Sequence, residues 1–266
     1  MKLIPPCPVI DVHHHFATMD AAVWTGGAGH GSDPRAEFMA EHHIDGVFVL
    51  AGATGVNAAN APSVNDGVAA YRAKDPDKYL AAFATVDPTD VAAAVREVDR
   101  AAVELGVDGF VFHHHFQQTT INDQRMRPIL EAIQRHRKPV FVHIVSGSLL
   151  EDPWRLAELA QEFPEITFVG LDGFSSPGGA GEMVLIAKQC PNLLFDTALL
   201  ASVAHGLDAF VEAVGPERLL LGTDFYTQPR LYQVPFPLYE VLNLGLTDDE
   251  LAAILSGNAR RLIGRA

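Results

Sequence analysis

Residues 9–16 read Val9-Ile10-Asp11-Val12-His13-His14-His15-Phe16, an apolar run of strand length that closes on three imidazoles. Taking the strand as Val9–His14, seven further runs of the same kind follow: Gly46–Ala51, Tyr79–Thr85, Gly109–His114, Pro139–Ile144, Ile166–Leu171, Asn192–Thr197 and Leu219–Thr223. Near-continuous Val, Ile, Leu and Phe suits parallel strands buried on both faces. Stretches with helical period lie between and after them, over Arg35–His43, Asn65–Lys74, Asp90–Leu105, Asp123–Arg135, Pro153–Glu162, Gly181–Gln189, Leu207–Val214 and Asp248–Leu262. Asp152-Pro153 marks one helix start, and Thr247 with Glu250 three residues on reads as a capping box at another. Eight βα units at about 33 residues each predict an α/β chain folded as one (β/α)8 TIM barrel, a single domain over residues 1–266. An open doubly wound sheet uses the same alternation with fewer strands, but no GxGxxG follows the first strand and no GxxxxGK[ST] occurs.

The 266 residues are 48% hydrophobic and 20% charged, enough for a large core. With 33 acidic against 19 basic residues the formal charge is −14, and the Lys and Arg form no run, which argues against nucleic acid or anionic membrane as a partner. A small anionic substrate is not excluded, because one Arg or a metal can dominate the field of a pocket. Cys7 and Cys190 lie outside any CxxC pattern, so neither a disulfide framework nor a cysteine zinc site is expected. No apolar h-region opens the sequence and no stretch reaches the roughly 18 apolar residues of a membrane span, so the expected location is the cytoplasm.

Active sites of such barrels sit at the carboxyl ends of the strands. Those ends carry His13, His14 and His15 on strand one, His113, His114 and His115 on strand four, His143 on strand five, Asp172 on strand six, Asp196 on strand seven and Asp224 on strand eight. Side chains alternate along a strand, so His13 and His15 share a side while His14 faces away. His-x-His alone fits a pair of hydrogen-bonded barrel residues as well as a metal site. Joined to a His closing Pro139–His143 and an Asp closing the last run, it points to a metal, because expensive polar groups then end three separate buried strands. His13, His15, His143 and Asp224 can supply the three or four ligands of a catalytic ion.

These segments resemble the amidohydrolase-related branch of the amidohydrolase superfamily, which includes aminocarboxymuconate-semialdehyde decarboxylase, aromatic-acid decarboxylases and several lactonases. The matching stretches are Ile10–Phe16, Asn122-Asp123 to Pro128, Lys138–His143, Leu220–Phe225 and Gly257–Leu262. The resemblance implies one divalent metal per chain, Zn2+ first and Mn2+ as the alternative, on His13, His15, His143 and Asp224, with His143 and Asp224 counted also among the catalytic residues. It also implies a homodimer. The family's His after strand six is replaced here by Asp172, which becomes the candidate proton-transfer residue. His113 and His115, paired by alternation, and Arg230, six residues beyond Asp224, are the candidate substrate contacts. Asp196 either shapes the pocket or caps a helix. Phe16, Trp24, Phe174 and Tyr226 are candidate pocket aromatics, and residues 26–29 and 175–179 are candidate covering loops. The function expected first is hydrolysis of a lactone, ester or amide through a metal-activated water. Non-oxidative decarboxylation of an aromatic or unsaturated carboxylic acid comes second, and a weakened metal-binding or small-molecule-binding barrel third.

Overall fold

A computed structural model describes residues 3–16, 34–176, 178–200, 206–226 and 234–265. Eight strands form one sheet in sequence order: β1 (Ile10–Phe16), β2 (Gly46–Ala51), β3 (Tyr79–Ala84), β4 (Gly109–Phe112), β5 (Val140–His143), β6 (Phe168–Leu171), β7 (Leu193–Asp196) and β8 (Leu219–Leu220). All successive pairs are parallel. The residues after β8 close the ring onto β1. Val12 N–H donates to Leu221 O (2.9 Å), Phe225 N–H to His13 O (3.0 Å) and His15 N–H to Phe225 O (2.9 Å). The chain is a single (β/α)8 TIM barrel.

Each apolar run became a strand, with ends shifted by up to three residues. β4 stops at Phe112 instead of reaching His114, because residues His114–Gln117 turn into a short helix whose Gln117 side chain accepts the His113 N–H (3.0 Å). The histidines of this run therefore do not alternate as on a strand. His114 is buried, His113 half-buried and His115 exposed. Helices Pro153–Glu162 and Leu207–Val214 have the expected bounds. Asp152 caps the first of these through Trp154 N–H, and Thr247 and Glu250 form the expected capping box. Helix Phe236–Leu242, flanked by Pro235 and containing Pro237, was masked in the sequence by its prolines, which here occupy the tolerated helix start.

The strands fill the barrel with aromatics. Phe83 lies 4.2 Å from Phe141 and 5.7 Å from Phe48, ring centre to ring centre, all fully buried. Gly109 makes room for this stack, since a Cβ there would lie 2.3 Å from the Phe83 ring and 2.8 Å from Pro139 O. Among the described residues no helix is long and apolar enough to cross a membrane. Gly109→Ala forces overpacking against backbone as well as ring, and it is expected to cost about 1–3 kcal/mol, read as a lower urea midpoint with metal content unchanged.

Candidate metal centre

Alternation along β1 sends His14 outward, where it stacks on Phe225 (4.8 Å) and bonds Asp11 Oδ2 through Nε2 (2.8 Å). His13 and His15 go the other way, with their Nε2 atoms 2.9 Å apart. His143, ending β5, brings its Nε2 to 3.3 Å from that of His15. The three imidazole nitrogens lie within 4.8 Å of one another. Asp224 joins from beyond β8, its Oδ1 3.4 Å from His13 Nε2 and 3.2 Å from His15 Nε2. All four residues are buried, at 0–5% exposure.

Proton bookkeeping shows what this cluster suits. His143 Nδ1–H donates to Phe112 O (2.9 Å) and His13 Nδ1 faces Asp196 Oδ2 (2.7 Å), so in the neutral rings both Nε2 atoms carry lone pairs. A single proton on His15 Nε2 cannot serve His13, His143 and Asp224 at once. A divalent cation satisfies all four acceptors. Ligand atoms about 2.0–2.2 Å from a tetrahedral ion lie roughly 3.3–3.6 Å apart, near the 2.9–3.4 Å contacts found here. The residues fit a divalent metal.

A second ring of groups fixes the first. Asp196 holds the outer nitrogen of His13, the usual carboxylate–histidine support of a metal ligand. Gly222 admits that carboxylate, since a Cβ there would stand 2.3 Å from Asp196 Oδ2. Asp11 joins the two ligand-bearing ends of the ring, because its Oδ1 accepts the N–H groups of His13 (3.0 Å) and Thr223 (3.1 Å) and its Oδ2 the Thr223 hydroxyl. Asp172 and Asp224 both adopt left-handed backbone, φ +66° and +57°, a conformation that costs a non-glycine residue about 1–3 kcal/mol. The turn at Asp172 is held by its N–H donating to Asp196 Oδ1 (2.9 Å). Its own Oδ1 is buried without a hydrogen-bond partner, 3.9 Å from His13 Nδ1.

The field favours positive charge at one point and opposes it around that point. Burial works against charge on His13, but Asp196, Asp224 and Asp172 outweigh it and push its pKa up to about 10. Burial, with the neighbouring His13 charge, drives His15 down to about 4, and burial, with His113, His15 and His13 alongside, drives His143 well below the ordinary value. Burial also raises Asp172 well above the usual carboxylate range, opposed by His13 and reinforced by Asp224 and Asp196.

The rings form a row along this floor. Tyr226 stacks on His15 (4.4 Å, 26°), His15 on His143 (5.2 Å, 22°) and His143 on His113 (4.0 Å, 15°), with Phe116 tilted against His113 (4.3 Å). His113 Nδ1 meets Glu151 Oε1 at 2.7 Å. Nothing in the sequence singled out Glu151, which lies in a polar loop after β5. His115 gives only its backbone N–H to this carboxylate (2.9 Å), its side chain being exposed. Phe16 packs on Tyr71 and Phe174 on Phe210, and both are buried in the core. Arg230, Trp24, residues 26–29 and Pro177 of the 175–179 loop lie outside the described residues.

The family model described as Amidohydrolase matches residues 10–265. The chain belongs to this family. Membership makes the barrel an enzyme of the hydrolase or carboxy-lyase kind with a divalent metal. No curated protein sequence matches it. Among solved structures it is similar to 5-carboxyvanillate decarboxylase of Sphingomonas paucimobilis, at 17% identity and TM-score 0.73 over 97% of this chain and 99% of that one. The 2,6-dihydroxybenzoate decarboxylase of Rhizobium aligns at 17% and 0.71 over 97% and 98%. The 5-carboxyvanillate decarboxylase of Novosphingobium aromaticivorans, complexed with manganese and 4-hydroxy-3-methoxy-5-nitrobenzoic acid, aligns at 15% and 0.73 over 99% of both chains. At these identities the likeness is one of fold.

Two outcomes follow for the amidohydrolase centre. Gly222→Ala displaces Asp196 from His13 and is expected to weaken metal affinity about 10–100-fold; equilibrium dialysis giving native affinity contradicts the support role. Without metal, His13 with its pKa near 10 is protonated at pH 7 while His15 and His143 are not. Zinc binding at pH 7 should then release at least one proton, and affinity should fall further as the pH is lowered. Calorimetry in buffers of different ionisation enthalpy reads that number, and zero release contradicts it.

Proposed function

We propose that the enzyme is a metal-dependent carboxy-lyase that removes CO2 from a small aromatic or unsaturated carboxylic acid. The observation carrying this reading is Asp172, a buried carboxyl with an unpartnered oxygen 3.9 Å from His13 Nδ1, its pKa pushed up by burial against the opposing His13 and further by Asp224 and Asp196. A neutral carboxylic acid donates a proton, which decarboxylation needs at carbon, whereas hydrolysis asks first for a base. The decarboxylases among the structural relatives support the same choice.

His13, His15, His143 and Asp224 hold the ion, and zinc suits three imidazoles and a carboxylate, with manganese the alternative. When bound, the ion supplies Lewis acidity toward the substrate's oxygens. Tyr226 at one end of the ring row and His113 with Phe116 at the other offer flat faces to a planar substrate. His115 and Arg230 are proposed as outer contacts to its polar groups. Asp172 gives its proton to the carbon bearing the carboxylate, the C–C bond breaks with its electron pair returning to the substrate's π system, CO2 leaves, and solvent reprotonates Asp172. Two free cysteines fit a cytoplasmic setting.

The test is product analysis of the zinc-loaded enzyme across aromatic acids, unsaturated acids and lactones in D2O. Released CO2 with one deuterium at the vacated carbon is expected, and ring opening without CO2 would make it a hydrolase. Asp172→Asn is expected to keep its metal and lose about 10²–10⁴ in kcat. Metal loss in that variant would instead make Asp172 a ligand, and native turnover would remove it from the chemistry.

A further inference from the structure

The run that ends in Asp224 is held only in part by strand pairing. β8 pairs with β7 over Leu219 and Leu220, and Leu221 O accepts Val12 N–H where the ring closes onto β1. The amides that follow are taken up by groups outside any strand ladder. Leu221 N–H donates to Ile254 O (3.3 Å), Gly222 N–H to Thr197 Oγ1 (3.0 Å) and Thr223 N–H to Asp11 Oδ1 (3.1 Å).

The last helical stretch of the chain packs on this run, and Asn258 is buried where they meet. Its backbone N–H reaches back five residues to Ala253 O, closing a π turn over Ala253–Gly257. In an α-helix it would meet Ile254 O, four residues back. Here that carbonyl takes the Leu221 N–H. Single π turns of this kind recur at functional sites. The Asn258 side chain supplies the other half of the grip, with Nδ2 donating to Leu219 O (2.6 Å) and Pro216 O (2.8 Å) and Oδ1 accepting from Arg261 (2.5 Å). One buried residue therefore fixes β8 by its carbonyls at 216 and 219 and, through the wide turn, by its amide at 221. Asn258 lies in Gly257–Leu262, a stretch legible in the sequence to which the metal shell itself gives no role.

Two features of the metal centre depend on where this run stands. Gly222 sits close against Asp196, the carboxylate behind His13, and Asp224 brings its Oδ1 to 3.2–3.4 Å from the His15 and His13 Nε2 atoms. A slide of the run displaces both. We propose that Asn258 is a positioning residue, which by fixing Leu219 and Leu221 against the last helix sets the place of Asp224 in the metal shell. The proposal rests on Asp224 being a ligand and not on the reaction catalysed.

Asn258→Asp keeps the size of the side chain and its acceptor for Arg261 and removes both N–H donors. Its Co2+ affinity, read by competition with a chromophoric chelator, is expected to fall about 10–100-fold, the usual loss when the support of a metal ligand is removed, and the visible absorption of the Co2+-loaded protein is expected to change. Gly109→Ala, at the start of β4, should lower the urea midpoint and leave both readings native, which is how a merely structural Asn258 would behave. Native affinity and spectrum in Asn258→Asp overturn the proposal. Asp224→Ala in the same assay separates the two levels: native affinity there would overturn the ligand assignment itself, whereas a loss there with none in Asn258→Asp sinks the positioning role alone. The native protein gives a reading that needs no variant to fold. Coupling between two sites is reciprocal, so zinc should slow hydrogen exchange of the Leu221 amide about 10–100-fold more than that of the Thr85 amide, which Asn65 Oδ1 holds (2.9 Å) at the end of the ligand-free β3. Equal slowing of the two amides overturns the proposal.

Discussion

Three imidazoles and a carboxylate converging on one buried point, with acidic groups behind them, is the constraint around which this barrel is arranged. His13 and His143 turn their Nδ1 atoms outward, onto Asp196 and Phe112 O, so their Nε2 atoms face His15 and Asp224. Such a centre calls for positive charge, which a proton on His13 supplies without metal and a dication supplies in full. The fold supplies the rigidity that keeps the groups together, because the three element ends that carry them are pinned by strand pairing and by the Asp11 bridge between His13 and Thr223.

Several otherwise costly features become intelligible against that constraint. Two aspartates in left-handed backbone and a glycine beyond β8 that admits a carboxylate lie at the centre, beside a register shift in β1 between Asp11 and His14. The surrounding aromatic core carries the stability against which such local strain is set. Burial pushes the Asp172 pKa up, and the acidic neighbours that reinforce it, Asp224 and Asp196, are the ones that raise that of His13.

Much of this was legible in the sequence, for physical reasons that differ from residue to residue. Strand alternation reads His13 and His15 together and turns His14 away, because period two survives along a paired strand. Asp224 and His143 are legible as polar residues ending apolar runs. The same rule misleads at His113 and His115, because pairing ends at Phe112 and a helical turn sends neighbouring side chains elsewhere. Glu151 leaves no trace in the sequence, since its meaning comes from a loop folding back onto the end of β4, a contact across 38 residues that no local period encodes. Asp172 could be placed but not aimed, because its orientation depends on a backbone φ of +66° and on a bond to Asp196 one strand away.

Crystals of the native protein, with anomalous difference maps collected across the zinc and manganese edges, test the account at its centre. The account predicts one strong peak per chain within bonding distance of His13 Nε2, His15 Nε2, His143 Nε2 and Asp224 Oδ1, with Asp196 on His13 Nδ1 and outside the coordination shell. A peak seated instead between His13 Nδ1, Asp172 and Asp196, the other group of potential ligands among the described residues, or a metal-replete protein with no peak at the four ligands, would contradict it.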